Sequence, residues 1–213
     1  MSSVKANNYQ VGKSVTANQN FTWYQPATPD GTIRLGVGNA LSTTGDVFTI
    51  NNSGNATFSA DATIHGLTVG LGGGSVGTNT ASGAGSLASN TSGNYSSAFG
   101  YATLQTNTTG VRNDAFGYNA LNGNTSGGYN VSLGMASLQV NTTGSYNTAV
   151  GNSALLSNTT ASNNTAVGYQ AGYSNTTGTG NVWVGFQSGQ TGATASYTTA
   201  TGMYALNSNT GTY

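Results

Sequence analysis

Residues Asn147–Leu155 read NTAVGNSAL, and this short unit returns with small changes through the second half of the chain. It recurs as NTAVGYQAG from Asn164, as NDAFGYNAL from Asn113 and as NVSLGMASL from Asn130. Its central glycine returns every 17 residues, with no insertion or deletion between copies. A fixed period of this kind indicates one structural unit stacked on itself. The repeat glycines are Gly83, Gly100, Gly117, Gly134, Gly151, Gly168, Gly185 and Gly202.

Alignment of the copies by their glycine gives columns of distinct chemistry. The position before the glycine and the position four after it are mostly large and apolar, so we expect these two columns to form the buried core. The expected core residues are Phe99, Leu104, Phe116, Leu121, Leu133, Leu138, Val150, Leu155, Val167, Val184 and Leu206. The position two before the glycine is small in every copy except Trp183. Because a packed interior tolerates such a change of volume poorly, we expect an open face there, or a changed cross-section at Trp183.

The position after the glycine carries several aromatic residues, among them Tyr101, Tyr118 and Tyr169. Rings repeated at a fixed period could bind sugars, or they could cover a seam between chains. We favour the seam, because rings stacked at a fixed period pack well on one another.

The other half of each unit is a turn. It reads NTSG from Asn90 and NTTG from Asn107, and asparagine and glycine both tolerate left-handed backbone. Another asparagine column runs through residues 79, 113, 130, 147, 164 and 181. Stacked amides in register can hydrogen-bond from one rung to the next. The repeat therefore predicts a strand, a bend, a second arm and a turn, which together make one coil of a parallel β-solenoid. Eight coils at about 4.8 Å each would give a stack of roughly 40 Å.

Three segments are expected along the chain. Residues 1–70 are non-repetitive, and short β-prone runs such as Phe21–Tyr24 and Asp46–Ile50 predict strands and hairpins in them. Residues 71–77 form a glycine-rich joint between modules. Residues 78–213 form the solenoid. The overall prediction is an all-β chain.

The composition leaves little chemistry for an enzyme. Charged residues make up 4% of the chain, which has no cysteine and no glutamate, and whose one histidine is His65. General acid–base catalysis and metal binding need several such groups at suitable spacing. We therefore expect no catalytic residues, no metal and no cofactor. Arg112 and Asp114 are expected to form a local ion pair. Zero net charge argues against nucleic-acid binding.

A GxGxxG pattern occurs at Gly72, Gly74 and Gly77, but no helical pattern follows it, so we expect a joint and not a nucleotide loop. The first twelve residues contain no apolar signal region, and no apolar run approaches the length of a membrane span. We expect synthesis in the cytoplasm and no membrane insertion. Because natural solenoids normally end in a capping repeat, we expect the chain to be truncated at its C-terminal end.

The repeat unit resembles the head repeats of trimeric autotransporter adhesins, which read roughly N-S-V-A-I-G. Those repeats build a left-handed parallel β-roll in a three-chain bundle, although their period is about 14 and not 17 residues. The resemblance covers residues 78–213 and implies a homotrimer. The stretch DVFTINNSGNATFSADATIHGLTV, Asp46–Val69, is similar to segments of bacteriophage tail and virion fibres. Residues 9–41 resemble N-terminal parts of phage structural proteins.

Together the resemblances imply a fibre of the virion that holds a rigid shaft toward a host receptor. Residues 1–70 would contact other virion proteins, with Phe21, Trp23, Tyr24 and Pro26 as candidate anchor contacts. The receptor would be bound by a distal region outside this chain. Attachment to the tail or to the head stays open. A bacterial trimeric surface adhesin is the alternative function, and an ice-binding β-solenoid is a further one, although its threonine column would be interrupted at several levels.

Overall fold

The computed structural model describes residues 67–207 continuously and, before them, only the backbone of six short strands; side chains are described from residue 69 onward. The described residues are all-β apart from one 3-10 turn, and residues from Thr80 onward form a parallel β-solenoid, so the predicted fold class is confirmed. The chain divides into two compact units, Met1–Asp61 and Ala62–Tyr213.

The first unit contains a five-stranded antiparallel sheet in which neighbouring strands in sequence are neighbours in space. Strand β2 pairs with both β1 and β3, and β4 pairs with β3 and β5. The register between β3 and β4 shifts between Leu35 and Gly36. The strands are β1 (Tyr9–Val11), β2 (Phe21–Tyr24), β3 (Ile33–Val37), β4 (Asp46–Ile50) and β5 (Ala56–Phe58).

The second unit contains a ten-stranded sheet that changes from antiparallel to parallel. A β6–β7 hairpin pairs antiparallel with β8, and from β8 onward every pair is parallel. Each residue pairs with the equivalent residue of the next coil, as Ala98 does with Ala115. The strands are β6 (Ala62–Ile64), β7 (Leu67–Gly70), β8 (Thr80–Ser82), β9 (Ser97–Phe99), β10 (Asp114–Phe116), β11 (Val131–Leu133), β12 (Thr148–Val150), β13 (Thr165–Val167), β14 (Val182–Val184) and β15 (Thr199–Thr201).

The glycine-rich segment is folded onto the first coil. It forms a 3-10 turn at Gly73–Ser75, and the Gly73 amide donates a hydrogen bond of 2.8 Å to the Leu87 carbonyl. A Cβ on Gly74 would lie 2.7 Å from the Thr91 carbonyl oxygen. Strand β7 therefore covers the open edge of β8, and the 3-10 turn covers the turn region of the first coil. The division between the two units falls between Asp61 and Ala62, before the boundary expected at residue 70.

Each coil contains one three-residue strand, and the rest of the coil is turns. Leu121 has a left-handed φ of 52° and Asn119 one of 54°, and the equivalent residues of the other coils repeat these values. The turns are still bonded between coils: the Asn119 amide donates to the Tyr101 carbonyl at 3.0 Å and the Leu121 amide to the Ser137 carbonyl at 2.9 Å. The predicted second arm is thus a run of turns that preserves the register of the stack.

Of the two apolar columns that were expected to be buried, one is confirmed as core. The expected core residues Leu104, Leu121, Leu138 and Leu155, each four residues after a glycine, are fully buried, and so is Leu87 at the same position of the first coil. Leu206, in the last coil, is 38% exposed. The column before the glycine was wrongly assigned to the core, since Phe99, Phe116 and Leu133 are exposed, and Val150, Val167 and Val184 are half-buried. Side chains alternate along a strand, and the small residue in the middle of each strand points inward instead.

The column expected to be open, two residues before the glycine, is therefore buried, and it accommodates Trp183 at 1% exposure. The position four residues after the repeat glycine, which is leucine in most coils, is Gly172 in one coil and Gly189 in the next. The indole of Trp183 occupies the space that those two leucine side chains would fill. A Cβ on either glycine would overlap the Trp183 ring. The core volume is thus conserved by a three-residue exchange and not by a wider coil.

The repeat glycines are required by both conformation and space. Their φ values lie between 118° and 140°, a region that side-chain-bearing residues rarely adopt. A Cβ on Gly134 would lie 2.5 Å from the carbonyl oxygen of Gly151 in the next coil. These glycines therefore allow the closest approach between coils.

We expect Gly134→Ala to destabilise the solenoid by about 3 kcal/mol or more, because it adds backbone strain to a backbone clash. Gly77→Ala is the matched control, since a Cβ on Gly77 meets nothing within 4 Å. Chemical denaturation of the full chain followed by circular dichroism measures both. Equal stability of the two variants would contradict this account of the glycine row.

Trp183→Ala should cost about 3–5 kcal/mol, because it leaves a cavity where neither leucine is present. The triple variant Trp183→Ala, Gly172→Leu, Gly189→Leu rebuilds the usual core and should recover most of that loss. Gly172→Leu alone should be destabilising, because the leucine side chain would overlap the indole of Trp183. Additive effects of the substitutions in the denaturation midpoints would show that the three sites are not coupled.

Candidate functional site

The described residues contain no cluster of side chains that could hold a metal ion. No group of three or more His, Cys, Asp or Glu side chains comes together among them. None of their helical segments is long and apolar enough to cross a membrane. His65 lies outside the described residues. The candidate sites are therefore columns of polar or aromatic side chains that repeat from coil to coil.

Two asparagine columns run through the interior. In one, the Nδ2 of Asn124 donates to the Oδ1 of Asn107 at 2.7 Å, and Asn141 donates to Asn124 in the same way at 2.9 Å. In the other, Asn130 Oδ1 accepts a bond of 3.0 Å from the backbone amide of Asn147. Both columns are buried. The predicted amide ladder therefore exists, and the turn asparagines form a second ladder.

The two ladders converge on the same carbonyl oxygens. The Gly127 oxygen accepts a bond of 2.8 Å from Asn113 Nδ2 and one of 2.9 Å from Asn124 Nδ2. This clamp fixes the end of each turn against the strand. Among the residues that the structure describes, Asn175 Oδ1 is the buried side-chain oxygen without a partner. The ladder is interrupted there because the next position in the column is Gly192.

The residues immediately before and after each glycine form two exposed columns, here called the glycine-flanking columns. Phe99 is 38% exposed and Tyr101 is 58% exposed, on either side of Gly100. Phe99 stacks on Phe116 with centroids 4.8 Å apart, and Tyr101 stacks on Tyr118 at 5.4 Å. Further exposed members are Leu133, Met135, Tyr169, Phe186 and Met203. One chain thus presents an apolar surface along consecutive coils.

The candidate anchor residues lie in the first unit. Phe21, Trp23 and Tyr24 belong to β2, whose backbone pairs with β1 and β3. Pro26 lies outside the described residues. The structure therefore places three of the four on β2, an interior strand of the five-stranded sheet.

A third exposed column, twelve residues after the glycine, was missed by the sequence interpretation. It contains Tyr95, Arg112, Tyr129, Tyr146 and Tyr197. The expected ion pair between Arg112 and Asp114 is replaced here by a different contact, because the Arg112 guanidinium lies between the rings of Tyr95 and Tyr129. The 17-residue alignment of the tyrosines was the signal that could have identified this column.

Comparison of the chain with protein-family models, with curated proteins and with solved structures finds no match in any of the three.

Gly192→Asn should stabilise the solenoid by about 1–2 kcal/mol, because the new amide can donate to the orphaned Oδ1 of Asn175 and extend the ladder. Gly192→Ala is the control for the lower backbone entropy of a non-glycine residue, which by itself contributes about 0.4–1 kcal/mol. Thermal denaturation compares the two variants. An alanine variant as stable as the asparagine variant would show that the amide gains no hydrogen bond.

Proposed function

We propose that the chain is a structural component of a bacteriophage virion fibre, in which three copies associate along the glycine-flanking columns. One observation carries this proposal. The side chains of both columns are exposed or half-buried, and they occupy the same position in consecutive coils. Burying a side chain of the size of Phe or Leu contributes roughly 1.5–3 kcal/mol relative to leaving it exposed. An apolar surface this extended is typical of an association site.

The thin interior supports association. The buried apolar residues of a typical coil are two small residues and one leucine, as Ala115, Ala120 and Leu121 are in one coil. A coil of this kind gains core volume only by packing against a neighbour. Copies of the same chain have the same spacing between coils, so the side chains that flank the glycine in one copy can meet the equivalent side chains of another copy coil by coil.

The composition supports a mechanical role. The solenoid between residues 69 and 207 contains one arginine and one aspartate, so its surface has little charge to titrate or to screen. In the proposed fibre, residues 1–70 contact other virion proteins. The solenoid separates that attachment from a receptor-binding region beyond this chain.

A bacterial trimeric surface adhesin would use the same association and differs in its location. Antibody labelling and electron microscopy distinguish the two: label on purified particles supports the fibre, whereas label on the cell surface of uninfected bacteria supports the adhesin.

The sharpest test disrupts the columns and follows both assembly and incorporation. Leu133→Lys with Val150→Lys should convert a trimer into monomers in sedimentation experiments and remove the protein from purified particles, because charges would be buried in the interface. Thr143→Lys with Thr160→Lys adds the same charges on an exposed column elsewhere in the coil and should change neither result.

Deletion of residues 1–45 should leave the trimer intact and prevent incorporation, which tests the attachment separately. A monomeric wild-type chain would contradict the association. Normal incorporation of the deletion variant would contradict the assigned role of residues 1–70.

A further inference from the structure

Arg112 is the single Lys or Arg residue between residues 69 and 207. It belongs to the column twelve residues after the glycine, where tyrosines lie on both sides of it. Four consecutive coils contribute Tyr95, Arg112, Tyr129 and Tyr146, and all four side chains are exposed. Each has a left-handed φ between 53° and 60°. The repeated backbone conformation directs these side chains to the same side of their coils, so that they stack along the solenoid.

The stack holds the guanidinium in place. Arg112 Cζ lies 5.4 Å from the ring centroid of Tyr95 and 5.3 Å from that of Tyr129. Arg112 Nη1 donates a hydrogen bond of 2.8 Å to the Tyr129 hydroxyl oxygen. Tyr129 in turn stacks on Tyr146, with centroids 4.8 Å apart and ring planes 14° from parallel. A guanidinium fixed in this way loses little conformational freedom when it binds an anion.

The arrangement has unused binding capacity. A guanidinium carries five N–H donors, and the structure assigns one hydrogen bond of Arg112 to a side chain, that of Tyr129. Arginine forms paired hydrogen bonds with a carboxylate. The exposed tyrosines beside it offer rigid, amphipathic contact area, which is the property that makes tyrosine frequent in binding surfaces. A ligand that combines a carboxylate with a partly apolar ring matches both elements.

The charge balance restricts the ligand further. Asp114 is exposed on the strand that follows Arg112 and is the only acidic residue between residues 69 and 207. One positive and one negative charge produce no field that would attract a polyanion such as nucleic acid, which requires many neutralising cations. A single carboxylate needs one well-placed cation.

We propose that Tyr95, Arg112, Tyr129 and Tyr146 form a binding site for an acidic saccharide, a sugar ring that carries a carboxylate, such as the uronic acid units of a surface polysaccharide. Arg112 binds the carboxylate, and the tyrosines contact the ring. The site lies on the solenoid itself and goes beyond the role of a spacer. It is built within one chain, so it does not depend on the proposed trimer.

The test titrates the full chain with the methyl glycoside of galacturonic acid, a single ring with one carboxylate, and with its methyl ester, which has the same ring without the charge. Calorimetry should show binding of the acid and about tenfold weaker binding of the ester, because the charge-assisted hydrogen bonds are lost. Arg112→Gln should weaken binding of the acid about tenfold and leave binding of the ester unchanged. Tyr146→Ala should weaken binding of both ligands.

Tyr197→Ala is the matched control, because Tyr197 belongs to the same column at 82% exposure but lies several coils from Arg112. It should bind both ligands like the wild type. The proposal is overturned by equal affinity for acid and ester, by an unaffected Arg112→Gln variant, by equal binding of a short single-stranded DNA, or by no binding at millimolar ligand. Sedimentation of the same samples shows whether association fails independently of ligand binding.

Discussion

The solenoid depends on the close approach of equivalent glycines in neighbouring coils. A Cβ added to Gly134 would lie only 2.5 Å from the carbonyl oxygen of Gly151. The two backbones therefore meet with no side chain between them. The amides around the coil then find their carbonyl partners one coil away, in strands and turns alike. An inserted residue would displace every later partner, which explains why the 17-residue period is kept without exception across the glycine row.

Because the backbone is held in this way, the chain varies its interior by compensating exchanges. Trp183 enters the small-residue column where Gly172 and Gly189 replace leucines, and the close-packed volume is preserved. Ser132, which also departs from alanine, is satisfied by Ser137 in the same coil, with the two hydroxyl oxygens 2.5 Å apart. Among the described residues, the buried side-chain polar groups are tolerated because they have partners, with Asn175 Oδ1 as the exception, and the amide ladders provide many of those partners.

The internal bonding leaves the outer columns free for other contacts. The glycine-flanking columns present apolar side chains suited to a second and third copy, whereas the column around Arg112 presents a fixed cation among phenol rings. Both use the same physical property, namely that a repeated backbone places chemically similar side chains at equal intervals. In the fibre that we propose, one column would hold the copies together and another would contact a saccharide.

The period, the turn residues and the asparagine column were sufficient to predict a parallel β-solenoid, because stacking imposes a fixed repeat and left-handed turns favour Asn and Gly. They did not reveal which strand positions face inward. Hydrophobicity favoured Phe99 and Leu133 as core, but the coil is so narrow that only a small residue fits beside the leucine of the turn, so the larger side chains point outward. The contact between Arg112 and the tyrosines likewise depends on the stacking of coils, which places residues 17 positions apart next to one another.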